Sequence, residues 1–158
     1  MIRISRITDY GIVLMAHLAE RGGDTPCNAR EVAETAQLPL PVVSKILKSL
    51  AREGLLVSHR GAKGGYTLAR HADEVPVTEM IAALEGPFGL TECAMQPGAC
   101  PQESSCQVRE PWQRINRVLY DALAHITLAD LVGPLPDSIA PLVRLARSAQ
   151  DFDASKTT

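Results

Sequence analysis

Residues 28–68 read NAREVAETAQLPLPVVSKILKSLAREGLLVSHRGAKGGYTL, and the organisation of the chain follows from this stretch. Asn28 carries a side-chain oxygen that can cap a helix, and Glu31, three residues on, completes a capping-box pattern. Val32, Ala33 and Ala36 form the short inner face of that helix. The turn Leu38-Pro39-Leu40 follows. Pro41 suits a first helical position, where its missing N–H would have had no partner. The next helix is predicted over 41–53, with Gly54 ending it at positive φ. Its apolar set is Val43, Ile46, Leu47 and Leu50. Pro41, Val42, Ser44, Lys45, Lys48 and Arg52 lie off that face. Two short helices joined by a tight turn, the second basic outside, form a helix-turn-helix pattern. A three-helix bundle with a solvated basic face has the same signature.

The following segment separates the two. Residues 55–59 form a strand candidate, 60–65 a basic, glycine-rich turn, and 66–68 a returning strand. A β-hairpin directly behind a recognition-type helix is a wing. Its glycines let the backbone approach a groove, and Arg60 and Lys63 can meet phosphates or enter the minor groove. A plain surface hairpin is the competing reading. A phosphate-cradling nucleotide loop is not, because the turn lacks the G-x-x-x-x-G-K-[ST] spacing and no helix follows it.

On the N-terminal side, Ile4, Ile7, Gly11, Leu14 and Leu18 are spaced as one face of a helix over 4–20, stopped by Gly22-Gly23. On the C-terminal side, Val77, Met80, Ile81 and Leu84 predict a helix over 77–85, closed by Gly86-Pro87. Residues 87–106 read as a loop. A long amphipathic helix over 110–126 then carries Trp112, Ile115, Val118, Leu119, Ala122, Leu123 and Ile126 at i, i+3, i+4, i+7 spacing. Thr127 and Asp130 can cap a short helix over 128–132. The remaining chain is too short to bury the long stripe, which predicts packing against a second copy, with burial on helix 4–20 as the alternative or complement. A further helix is expected over 137–148 and a frayed end from Asp151. The expected fold is mostly α: a winged helix-turn-helix with a β-hairpin wing and a long C-terminal dimerisation helix. Its expected parts are a DNA-binding domain (1–86), a cysteine-rich loop (87–107), a dimerisation region (108–132) and a partly disordered extension (133–158).

The chain has 158 residues, 46 % of them hydrophobic, 22 % charged and 4 % aromatic. That describes one ordinary globular domain with an aliphatic core, or one domain with an appendage. No apolar run approaches the roughly 20 residues of a membrane span. No cleavable leader pattern follows Gly11–Ala19, so the expected compartment is the cytoplasm. Residues 1–71 hold ten Lys and Arg against six Asp and Glu, whereas 72–158 hold six against twelve. A basic front half points to a polyanion such as double-stranded DNA. His17, His59, His71 and His125 are scattered, with no nucleophile or carboxylate constellation beside them, which argues against a hydrolytic enzyme and a small-molecule substrate.

Cys93, Cys100 and Cys106 are spaced C-x6-C-x5-C among Pro97, Gly98 and Pro101. Structural zinc favours paired C-x2-4-C knuckles, so the spacing is a weak zinc signal. Thiolates with longer gaps suit an iron–sulfur cluster better. Free thiols or a redox disulfide remain open. No histidine lies in the loop. The fourth-ligand candidates are Glu103, Glu110, Asp9 from a second copy, or a small exogenous ligand. Cys27 stands apart as a structural thiol.

The order of helix-turn-helix, wing, short helix, three cysteines and long apolar helix resembles the IscR/NsrR-type iron–sulfur repressor family of bacterial winged-helix regulators. The likeness runs from Met1 to about Val132 and is sharpest at Arg60–Tyr66, similar to the family's R-G-x-x-G-G-Y stretch. The start, Arg3-Ile4-Ser5-Arg6-Ile7-Thr8-Asp9-Tyr10-Gly11, resembles the regulators of the SUF cluster-assembly operon. The resemblance implies a homodimeric repressor on an operator, with a 2Fe–2S or 4Fe–4S cluster held by Cys93, Cys100 and Cys106. Some members have a histidine three residues beyond the last cysteine; Arg109 stands there in this chain. Others use an aspartate from the partner's first helix, which corresponds to Asp9. A winged-helix regulator controlled by thiol oxidation, zinc or nitric oxide, and an iron–sulfur electron carrier, are the alternatives.

Overall fold

The computed structural model describes residues 4–61 and 63–133. Helix α1 (Arg6–Glu20) starts at Ser5, whose hydroxyl accepts the Thr8 N–H at 3.2 Å. Helix α2 (Ala29–Ala36) has the expected capping box: the Asn28 side chain accepts from Arg30 and Glu31, and Glu31 accepts the Asn28 N–H. Helix α3 (Leu40–Arg52) begins one residue earlier than its proline suggests, so Pro41 is the second helical residue and Pro39 the cap. Gly54 follows at φ +79°, as its position required.

Strands β1 (Leu56–His59) and β2 (Gly65–Leu68) pair antiparallel, with Leu56 opposite Leu68 and His59 opposite Gly65. A contact absent from the sequence reading extends this hairpin. Cys27 and Tyr66 exchange both backbone hydrogen bonds, at 3.1 and 2.9 Å, so the residue before the α2 cap acts as a third, one-residue strand. Cys27 is buried and plays the structural part expected of it.

A single helical turn at Ala72–Glu74 leads to α4 (Val77–Glu85). The stretch expected as pure loop contains a short helix, α5 (Glu92–Met95). The long helix, α6, spans Arg109–Ala124, and α7 spans Leu128–Val132 behind the predicted Thr127–Asp130 capping box. Helix α7 returns to the core: Val77 N–H donates to Ile126 O and Leu128 N–H donates to Val75 O, both at 2.8 Å, and Leu128 is fully buried. The expected helix over 137–148 and the extension beyond 133 lie outside the described residues.

One aliphatic core joins Leu14, Met15 and Leu18 of α1 to Val32, to Val43, Ile46, Leu47 and Leu50 of α3, and to Val75 and Met80. The α3 face is the one its periodicity marked. The α1 face is corrected: Thr8, Gly11, Leu14, Met15 and Leu18 are buried, while Ile4 and Ile7 face solvent. In the first turn of α1 it is Thr8, not Ile7, that turns inward, so among the described residues Ile4 and Ile7 are left on the solvent side of the helix start. Among the described residues, no helix is long and apolar enough to cross a membrane.

Candidate functional site

Burying Val43, Ile46, Leu47 and Leu50 turns the opposite side of α3 outward. Pro41, Lys45, Lys48 and Arg52 are exposed there. Val42 and Ser44 are half-buried, and Val42 packs against the core rather than standing clear of it. Arg52 is partly engaged already, its guanidinium 3.2 Å from both Glu53 Oε1 and Ser49 Oγ. Leu40, read from sequence as a turn residue, is 38 % exposed at the helix start. The sequence leaves it in the turn, outside both the apolar set and the outward set of the helix, and so does not single it out as a site residue.

The wing carries Arg60 and Lys63 at its exposed tip. Gly61 turns there at φ +110°, and its carbonyl accepts the Gly64 N–H at 2.9 Å. Gly65 is required for a different reason: a Cβ there would lie 2.5 Å from the Cys27 carbonyl carbon and oxygen. His59 Nε2 and the hydroxyl of the buried Thr67 are hydrogen-bonded at 2.9 Å, stiffening the hairpin stem. The arrangement presents a helix and a hairpin tip, both basic, the geometry with which a protein enters a groove and holds the backbone beside it.

The second assembly is the loop between α4 and α6. Cys93, Cys100 and Cys106 are all free and half-buried. Cys93 Sγ lies 3.3 Å from the Thr91 hydroxyl. As donors they are soft thiols, the chemistry iron–sulfur groups require, so the set fits such a group. In this single chain, however, the loop does not gather them: among the described residues, no three His, Cys, Asp or Glu side chains stand together as a ready metal site. Asp9 is exposed on the first turn of α1, without a side-chain partner among the described residues. The two carboxylates read from sequence as fourth-ligand candidates in and beside the loop are engaged elsewhere. Glu103 pairs with Arg109 at 2.6 Å and accepts the Gly98 N–H at 2.6 Å. Glu110 pairs with Arg114 at 2.5 Å along α6.

The loop is tied to α6 at both ends. Leu90 N–H donates to Asn116 Oδ1 at 3.0 Å, and the rings of Phe88 and Tyr120 lie 6.2 Å apart. Arg109, the first residue of α6, reaches back to Glu103. The apolar stripe of α6 divides in two. Leu123, with Ile126 just beyond the helix, packs on the core, whereas Trp112, Ile115 and Val118 are exposed, Val118 at 67 %.

A basic helix seated on an aliphatic core, with a basic hairpin behind it, defines a winged-helix DNA-binding protein. The chain belongs to the Rrf2 family, described as an iron-dependent transcriptional regulator, whose model matches residues 4–134. It is 31 % identical to the HTH-type transcriptional repressor NsrR of Streptomyces coelicolor, over 84 % of this chain and 89 % of that protein. The solved structure of CymR, the global cysteine regulator of B. subtilis, aligns with TM-score 0.66 and 31 % identity over 84 % of this chain and 97 % of that one. T. potens IscR aligns with TM-score 0.64 and 28 % identity over 83 % and 86 %. Family members are transcriptional regulators that bind DNA, not enzymes.

Proposed function

We propose that this chain is a repressor that senses iron–sulfur status and controls cluster-assembly genes of the SUF type. It works in the cytoplasm as a homodimer on a twofold double-stranded operator. The observation that carries the reading is the joining, in one chain, of a basic winged helix to three free thiols on a loop tied at both ends to α6. Cys93, Cys100 and Cys106 would hold a 2Fe–2S or 4Fe–4S cluster, with Asp9 of a second copy as fourth ligand. Such a cluster supplies a centre sensitive to iron supply, oxygen and nitric oxide. Arg109 is not a ligand in this reading; it holds Glu103 out of the ligand set.

On the DNA side, Pro41, Ser44 and Lys45 meet base edges. Val42 adds only the part of its side chain left clear of the core. Lys48, Arg52, Arg60 and Lys63 meet phosphates. Each phosphate contact releases counterions, so affinity falls steeply with salt. The exposed half of the α6 stripe supports a dimer, because covering Trp112, Ile115 and Val118, which are 42, 47 and 67 % exposed, recovers a corresponding share of the roughly 1.5–3 kcal/mol that full burial of a large apolar side chain is worth. A loop that rearranges pulls on α6 through Asn116, Tyr120 and Arg109 and so biases the spacing of the two α3 helices.

The test is anaerobic purification with an absorption spectrum, iron and sulfide counts per chain, and DNA binding before and after cluster loss. Visible charge-transfer bands, equal iron and sulfide, and a changed DNA affinity are expected. A Cys93, Cys100 and Cys106 triple-serine variant that keeps both its iron and the wild-type DNA response overturns the reading. The second reading is a regulator controlled by thiol oxidation or zinc, favoured by three thiols that stand ungathered in this chain. It predicts a colourless protein whose DNA affinity responds to oxidant or zinc alone. An electron carrier leaves the winged helix without a purpose.

A further inference from the structure

The start of α3 differs chemically from an ordinary helix N-terminus. Such an end offers several free N–H groups and attracts phosphate. Here Pro39 is the cap and Pro41 the second helical residue, and neither carries an N–H. The next two donors, Val42 N–H and Val43 N–H, both go to Pro39 O, at 3.0 and 3.1 Å. Leu40 N–H is the one donor of this turn left over, and the rest of what faces outward is apolar: the Pro39 and Pro41 rings and, between them, the Leu40 side chain, all exposed. Val42, the other apolar residue of this turn, is drawn half into the core and packs on it. The prolines also hold the backbone rigid, so little freedom remains for Leu40 to lose on binding.

Around this apolar tip the exposed surface is basic, with Lys45 and Lys48 along the same helix and Arg60 and Lys63 on the wing. A polyanionic duplex complements that rim. The floor of its major groove is polar except at one group, the C5 methyl of thymine. A cation ring around an apolar point matches phosphates around a methyl group. An apolar protein partner would not account for the charge.

We propose that Leu40, flanked by Pro39 and Pro41, reads a thymine methyl group in the major groove and is a sequence-specificity residue of this protein. This rests on α3 being the helix that enters the groove, and the experiment separates the two claims. Duplexes recovered by selection from a random pool with the full chain are resynthesised with uracil in place of each thymine in turn. Binding is followed by fluorescence anisotropy for wild type and for Leu40→Ala and Leu40→Met. At one thymine per half-site, loss of the methyl is expected to weaken wild-type binding about fourfold, the worth of one buried methyl. Leu40→Ala binds the thymine duplex at least that much more weakly and no longer distinguishes uracil. Leu40→Met, a flexible apolar side chain, retains part of the discrimination. Because Leu40 is not a core residue, all three proteins should share one melting temperature. Site-selective binding with no uracil-sensitive thymine, or with a uracil penalty undiminished in Leu40→Ala, overturns the proposal and leaves groove entry by α3 standing. Failure of the wild type to select any site overturns both.

Discussion

Arg109 Nη2 lies 2.6 Å from Glu103 Oε1, and the other oxygen of that carboxylate accepts the Gly98 N–H at 2.6 Å. One side chain thus joins three points: the turn before Cys100, the turn before Cys106 and the first residue of α6. Glu103 is largely buried, which spares part of the pair from solvent screening.

Removing the charge should therefore loosen the loop. In the metal-free protein, Glu103→Gln is expected to cost about 1 kcal/mol of local stability, equivalent to roughly fivefold more frequent opening. Iodoacetamide labelling of Cys100 and Cys106, followed by mass spectrometry, should accelerate by that factor while buried Cys27 is unaffected. Unchanged labelling rates would show that Glu103 does not hold the loop.

The Thr8 hydroxyl, and after it the Ser5 N–H that Glu85 accepts at 2.8 Å, hold the Glu85 carboxyl at the end of α4 below the usual glutamate range. The folded value is depressed, so the charged form favours the folded state. Its contribution is complete above the unfolded value of about 4.3 and is lost as pH falls through the folded value. Wild type should melt above Glu85→Gln by a constant margin from about pH 8 to about pH 5, and the margin should shrink as pH falls below the unfolded value of about 4.3 and vanish only once pH is below the depressed folded value. Melting by circular dichroism across that range reads the difference directly.

Gly65→Ala should damage the wing from its stem. The added Cβ meets the Cys27 backbone at 2.5 Å, and neither strand can yield without breaking the Cys27–Tyr66 bridge. A loss of about 2 kcal/mol, or roughly 4–8 °C in Tm, is expected. Duplex affinity should fall with it, because Arg60 and Lys63 lose their placement. A variant that melts and binds like wild type would mean that the bridge does not position the tip.

Val118→Glu places a charge where the single chain leaves the side chain in water, so the fold should lose no more than about 0.5 kcal/mol. In a dimer built on the α6 stripe, the same charge is buried without a partner. Sedimentation should shift from twice the 17.0 kDa chain mass to the chain mass itself. A variant that remains dimeric would place the interface elsewhere.

Much of the fold was legible because its signals are local. The Asn28–Glu31 and Thr127–Asp130 capping boxes, the stop at Gly54 and the α3 stripe each involve residues within two helical turns of one another. Periodicity failed at Ile4 and Ile7, whose spacing says buried and whose surroundings leave them in solvent. It also stopped at the cysteine loop, where spacing names three thiols but says nothing of which carboxylate is already committed.

By itself, then, the sequence determined the order and type of the longer elements, though not the short helix α5 or the turn at Ala72–Glu74, together with the core face of α3, the basic exterior of helix and wing, and the set of soft donors. Capping, turn and amphipathic preferences act over a few residues and need no knowledge of the rest. Tertiary structure alone decided which helix ends overhang the core, that Cys27 lends the hairpin a third strand, that α7 returns to bury Leu128, and that Arg109 claims Glu103. Those outcomes depend on which distant surfaces meet, and burial is a property of the pair, not of either segment.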